Sequence, residues 1–140
     1  MELNRNVFKQ ALKERRLQIG LWSSLASNIG AEIIADSGFD WILLDTEHSP
    51  NEVPILLTQL QALERGTATP VIRPAWNDPV LIKRVLDIGT QSVLLPYVQN
   101  PDEASRRGRG ALSAGWDSRR CRNPARQPLR PCYRLSQEGE

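Results

Sequence analysis

The sequence predicts an α/β fold on a parallel sheet, arranged as part of a TIM-type β/α barrel. Three observations carry this. Apolar strand-like runs alternate with amphipathic helical stretches from Leu17 to Glu103, four units in about a hundred residues, and such alternation implies parallel strands with right-handed crossovers. The run Trp41–Leu44 is continuously apolar, the pattern of a strand buried on both faces. Three of the strands end in polar or charged side chains, which is how a barrel furnishes a site at its C-terminal edge. A doubly wound sheet fits the alternation as well. No Gly-rich phosphate loop follows the first strand, so the barrel is preferred.

In chain order, residues 4–16 read as a short amphipathic helix, with Val7, Phe8, Ala11 and Leu12 on one face. Leu17–Trp22 is the first strand. Ala31–Ser37 is a helix stopped by Gly38, and the second strand covers 40–45. Ser49-Pro-Asn-Glu52 has the spacing of a capping box with proline in the first turn. It should open a helix over 50–64 with Val53, Leu56, Leu57, Leu60 and Leu63 inward. Thr69–Arg73 is the third strand. Asn77-Asp-Pro79 caps the next helix, whose apolar residues are Leu81, Ile82, Val85 and Leu86 and whose stop is Gly89. Gln91–Leu95, ended by Pro96, is the fourth strand, and Asn100 starts a fourth helix.

Composition excludes little by itself. The chain is 40% hydrophobic and 24% charged with a net charge of +2, ordinary for a globular domain. No apolar run reaches the ~18 residues that cross a membrane, and the N-terminus has no signal core, so a cytoplasmic protein without a membrane partner is expected. Cys121 and Cys132 have neither metal-site spacing nor the density of a disulfide scaffold. The charge is unevenly spread. Residues 1–104 carry 9 Lys+Arg against 13 Asp+Glu, a net of −4, and residues 105–140 carry 9, all arginine, against 3, a net of +6.

The chemistry concentrates where the second strand ends, in Asp45, Thr46, Glu47 and His48, the only histidine. An imidazole beside carboxylates suits a general base; it also suits a residue that merely occupies the turn before a helix. Arg73, fixed at the end of the third strand and followed by Pro74, could grip a carboxylate or an enolate oxygen. It could equally form a structural ion pair with Asp45 or Glu47. Asp87, late in a helix, reads on its own as solvated. Trp22 and Trp76, near strand ends, could wall a pocket or pack.

Five runs in order, Gly20–Trp22, Ala35–Trp41, Leu44–Asn51, Val71–Pro79 and Leu94–Asn100, resemble the HpcH/HpaI aldolase/citrate lyase family. Within it they are most similar to the metal-dependent (class II) pyruvate aldolases, with a match continuous over residues 7–104. The resemblance implies a β/α barrel, homo-oligomeric and usually hexameric, that cleaves a small-molecule 4-hydroxy-2-oxo acid to pyruvate and an aldehyde. A divalent metal (Mg²⁺, Mn²⁺ or Co²⁺) would act as Lewis acid on the enolate. On this likeness His48 is the base, Arg73 holds the pyruvate oxygens, Asp87 supports the histidine, Asp45 and Glu47 form the acidic edge near substrate, and Trp22 borders the aldehyde pocket. The family's metal ligands, on later strands, have no counterpart, so no metal ligand is assigned in this chain. A whole barrel takes roughly 200 residues or more. The expectation is therefore a barrel truncated after about four β/α units and inactive alone.

The domain division expected is 1–104 for the partial barrel and 105–140 for an irregular, Arg-rich tail. One reading of the tail is a basic arm for nucleic acid or for a protein partner of a non-catalytic adaptor; sparse aromatic residues and the lack of a binding module weigh against nucleic acid. The other is out-of-frame translation after a frameshift near Ser105. With suitable synonymous codons, Arg106–Arg122 read one base later gives AVAAARYPPAGIRGVV, which resembles the family's continuation. The frameshift is the preferred reading.

Overall fold

The computed structural model describes residues 5–104; the expectations for the 105–140 tail lie outside the described residues. The elements are α1 (Val7–Lys13), β1 (Gly20–Ser23), α2 (Asn28–Ala35), β2 (Trp41–Asp45), α3 (Val53–Leu63), β3 (Thr69–Arg73) and α4 (Pro79–Asp87). The three strands form one sheet in the order β1-β2-β3. Both pairings are parallel, with Trp22 opposite Leu43 and Asp45 opposite Arg73. A parallel sheet in sequential order, with a helix in each connection, is the arc from which a β/α barrel is built.

The expected fourth strand is reduced to one bridge. Val93 pairs with Ile72, through Ile72 N–H to the Ser92 carbonyl at 3.0 Å and Leu94 N–H to the Ile72 carbonyl at 2.9 Å. The ladder stops there because the next donors it needs on either side, Pro70 and Pro74 of the β3 segment, have no N–H; on the other edge the Gln91 carbonyl accepts from the Asn6 amide (3.3 Å), which also donates to Ser92 Oγ at 2.9 Å. Residues 101–104 then form a single helical turn. Asn100 Oδ1 accepts from Glu103 N–H, and the Glu103 carboxylate accepts from Gln99 N–H, a reciprocal cap of the capping-box type.

Helix ends follow local chemistry. Ser27 Oγ caps α2 by accepting from Gly30 N–H at 3.1 Å, which starts the helix three residues earlier than its apolar pattern suggested. Asp78 Oδ1 accepts from both Val80 and Leu81 N–H, with Pro79 pre-set for the first turn. Gly38 and Gly89 lie beyond α2 and α4 with φ of 89° and 97°, a region that costs a side-chain-bearing residue strain and costs glycine none. The first strand begins at Gly20, not Leu17. Leu17 is 85% exposed and has no strand neighbour.

The two faces of the sheet divide the labour. Ile42 and Leu44 of β2 and Ile72 of β3 turn toward the helices and close a core with Ala31, Ala35, Leu56, Leu63, Ala68 and Val85. Strand side chains alternate, so Trp22, Leu43, Asp45, Val71 and Arg73 share the opposite face, the inside of the arc.

Candidate active site at the strand ends

The register of the sheet builds the centre of the site. Asp45 and Arg73 are paired last residues of neighbouring strands, so their side chains leave the sheet on the same side. Arg73 meets Asp45 side-on, Nε to Oδ1 at 2.9 Å and Nη2 to Oδ2 at 2.6 Å. Its Nη1 reaches Glu47 Oε2 at 2.8 Å. The Arg73 carbonyl is held in turn by Thr46, through N–H at 3.0 Å and Oγ1 at 2.7 Å. The guanidinium lies over the Trp22 ring, 4.6 Å from its centroid, and the Trp22 indole N–H donates to Asp45 Oδ2 at 3.2 Å. A bidentate pair stacked on an aromatic face leaves an arginine little rotamer freedom.

Asp45 is almost fully buried, at 1% exposure. Burial alone would raise its pKa. The Arg73 hydrogen bonds, with help from Glu47 N–H, Trp22 and His48 N–H, outweigh that and hold the carboxyl well below the usual carboxylate range. Arg73 is raised in turn, first by its hydrogen bonds to Asp45, against desolvation, with the charges of Asp45 and Glu47 adding. The pair stays ionised at any physiological pH.

The loop after β2 does not form the expected cap. The N-cap of α3 is Glu52, without a side-chain cap bond, and the proline of its first turn is Pro54, not Pro50. Ser49 and Asn51 fold back instead. Ser49 Oγ and Asn51 Nδ2 (2.8 Å) both donate to the Asp45 carbonyl, and Asn51 Oδ1 accepts from the fully buried Gln59 Nε2 at 2.6 Å. A strand's last carbonyl needs donors, and the serine and asparagine answer that need rather than the helix terminus.

His48 stands apart. Its side chain is 73% exposed, and its Nε2 lies 3.7 Å from Glu47 Oε1, beyond hydrogen-bond range. Asp87 does not join it. It is exposed at the end of α4, and a helix that crosses back along a parallel sheet ends at the strands' N-terminal side, away from His48. Trp76 is half exposed and stacks on Tyr97, ring centroids 4.8 Å apart. The structure thus brings together Trp22, Asp45, Glu47 and Arg73, with His48 on their rim, and leaves Asp87 outside.

Sequence reasoning missed Ser49, Asn51 and Gln59. The signal for Gln59 was its spacing, three residues after Leu56 and four before Leu63, on the buried stripe of α3. Among the described residues no group of three or more His, Cys, Asp or Glu could hold a metal ion, and none of the helices described is long and apolar enough to cross a membrane.

The sequence model of the HpcH/HpaI aldolase/citrate lyase family matches residues 18–109. The chain is 59% identical over 99 residues to the 4-hydroxy-2-oxo-heptane-1,7-dioate aldolase of Escherichia coli, covering 71% of this chain and 38% of that one. It is 57% identical over 100 residues to the Salmonella dublin protein of the same name, with the same coverage. A crystal structure of an HpcH/HpaI aldolase/citrate lyase family protein from Burkholderia cenocepacia J2315 superposes with a TM-score of 0.70 at 34% identity, over 79% of this chain and 42% of that one. The chain therefore spans well under half the length of these relatives.

Proposed function

The chain belongs to the HpcH/HpaI aldolase/citrate lyase family, and from that premise we propose that its strand-end cluster is the oxyanion grip of a carbon–carbon lyase acting on 4-hydroxy-2-oxo acids. The observation that carries this is Arg73. Of its five N–H donors, two go to Asp45, and Nη1 makes an ion pair with Glu47, so among the described residues donors remain on the terminal nitrogens. On this reading those donors bind the substrate oxygens. Retro-aldol cleavage needs this: as the C3–C4 bond breaks, its electron pair becomes the enolate of pyruvate and negative charge gathers on the C2 oxygen. A preorganised cation beside that oxygen stabilises the transition state more than the ground state.

His48 is the base on this reading. Its exposed imidazole takes the C4 hydroxyl proton, directly or through water, as the aldehyde leaves, and the C3 carbanion is then reprotonated to give pyruvate. Glu47 is shared between Arg73 and the neighbourhood of His48 and links the two halves of the reaction. Trp22 forms the wall behind Arg73. Asp87 has no contact with His48 to support the auxiliary role the resemblance implied.

The family resemblance implies a divalent metal that polarises the keto oxygen. The described residues do not fit one by themselves, since Asp45 and Glu47 both spend oxygens on Arg73 and no third ligand joins them. We therefore expect residues 1–140 alone, given Mg²⁺, Mn²⁺ or Co²⁺, to release no pyruvate above a His48→Ala control. The test of the lyase reading is a chimera: residues 1–104 joined to the remaining part of the E. coli relative. It should release pyruvate from a 4-hydroxy-2-oxo acid. His48→Ala should lower that rate by about 100- to 10,000-fold, and Arg73→Ala at least as far. Near-normal turnover by both variants would return the two residues to structural roles. The out-of-frame reading of 105–140 is a separate proposal, tested by the nucleotide sequence of codons 100–140.

A further inference from the structure

We infer that Gln59 and Asn51 are positioning residues for Glu47 and His48, an inference that rests on the lyase reading of the strand-end cluster. Gln59 sits in the middle of α3 with no exposed surface, at a place where the helix otherwise presents leucines to the core. A buried amide on an apolar stripe is costly unless its bonds achieve something. Its Nε2 donates to Asn51 Oδ1 at 2.6 Å. Asn51, itself buried, donates to the Asp45 carbonyl at 2.8 Å and to Ser49 Oγ at 3.0 Å. Ser49 Oγ donates to the same carbonyl. The Asp45 carboxylate then accepts from Glu47 N–H at 2.9 Å and His48 N–H at 3.4 Å while it holds Arg73.

The relay therefore runs from the hydrophobic core to the backbone of the two residues that carry the proposed proton transfer. Each link sets the next. Gln59 supplies a donor to Asn51 Oδ1, which fixes the orientation of the Asn51 amide, so that Nδ2 faces Asp45 and Ser49. The two donors on the Asp45 carbonyl close residues 45–51 into a tight loop. Without them only the N–H bonds to the Asp45 carboxylate would tie Glu47 and His48 to the strand end. The device accounts for a polar Gln59 where leucine would pack. It also explains why Ser49 and Asn51 do not cap α3.

The test replaces Gln59 with methionine, which is similar in length and shape and removes the donor. The change also removes Gln59 Oε1, which is buried without a partner, so the loss of one unmet acceptor offsets the unmet Asn51 Oδ1 that it creates. The readout is amide hydrogen exchange in the whole 140-residue chain. Positioning predicts that exchange at Glu47 and His48 quickens by about tenfold or more in Gln59→Met, while Leu43 and Leu44 in the same strand keep their protection; local opening of this kind is separable from global unfolding. Asn51→Ala should give the same split and decides the matter if Gln59→Met does not fold. A uniform rise across β2 and β3, unchanged exchange at 47 and 48, or no protection at Glu47 in the parent chain would overturn the inference. Exchange reads loop order and not turnover. A failure here leaves the chimera assay standing, and a failure of that assay leaves this result standing.

Discussion

Arg73 and His48 sit at the same edge of the sheet and are held in opposite ways. The arginine makes two charged hydrogen bonds to Asp45 and an ion pair with Glu47, and stacks on Trp22. The histidine is 73% exposed, with only a 3.7 Å approach to Glu47. The difference follows from what positions each. Arg73 is placed by strand register, so its partner was decided when β2 paired with β3. His48 is delivered by a loop three residues beyond the strand, and only the fold-back of Ser49 and Asn51 steadies that loop. The guanidinium is fixed in place by its neighbours, whereas the imidazole is largely exposed.

If that contrast is right, the two residues should differ most in stability. Arg73→Ala leaves Asp45 ionised and buried without its cation. Breaking one side of such a pair costs about 3–5 kcal/mol, so urea unfolding should show a large fall or no folded state. Arg73→Lys keeps the charge and loses the side-on geometry, and about 1–3 kcal/mol should go. A lysine variant as stable as the parent would mean that charge alone, not the fork, holds the edge.

Acid sharpens the same contrast. The folded-state pKa of Asp45 lies below its ordinary value of 3.8. The stability this pair contributes is therefore complete above about pH 5, and it is lost as pH falls through 3.8 toward the folded value. Asp45→Asn should start less stable at neutral pH and show a flatter acid limb in a denaturation series. An unchanged limb would place the acid sensitivity elsewhere. His48→Ala, by comparison, should move stability by no more than about 0.5 kcal/mol. A larger loss would show that His48 is anchored in solution.

Much of this site could be read in the sequence, because strands announce their ends. The apolar run Trp41–Leu44 stops at Asp45, and Arg73 is the charge at the end of its neighbour, so both fall at one edge once the strands pair in parallel. Of the two readings of Arg73, a grip on substrate or an ion pair with Asp45 or Glu47, the structure shows the ion pair, made with both carboxylates. What could not be read depends on bonds across the chain. Ser49 and Glu52 have capping spacing, and only the unmet carbonyl of Asp45 explains why Ser49 turns away. Gln91–Leu95 looks like a strand, yet it keeps only the Val93 bridge to Ile72, because Pro70 and Pro74 on either side of Ile72 have no N–H to extend the ladder. The place of Asp87 at the far end of α4 follows from topology and not from the local sequence.

The claim that Arg73 is a preset oxyanion grip is tested most directly by titrating the chain with oxalate, a planar dianion shaped like the enolate of pyruvate, while following the Arg73 Nε–H and Trp22 indole N–H resonances. The account predicts a saturable shift of both signals in the parent chain, undiminished in His48→Ala, and no shift of the Trp22 signal in Arg73→Lys. No shift in the parent chain, or an equal Trp22 shift in Arg73→Lys, would contradict it.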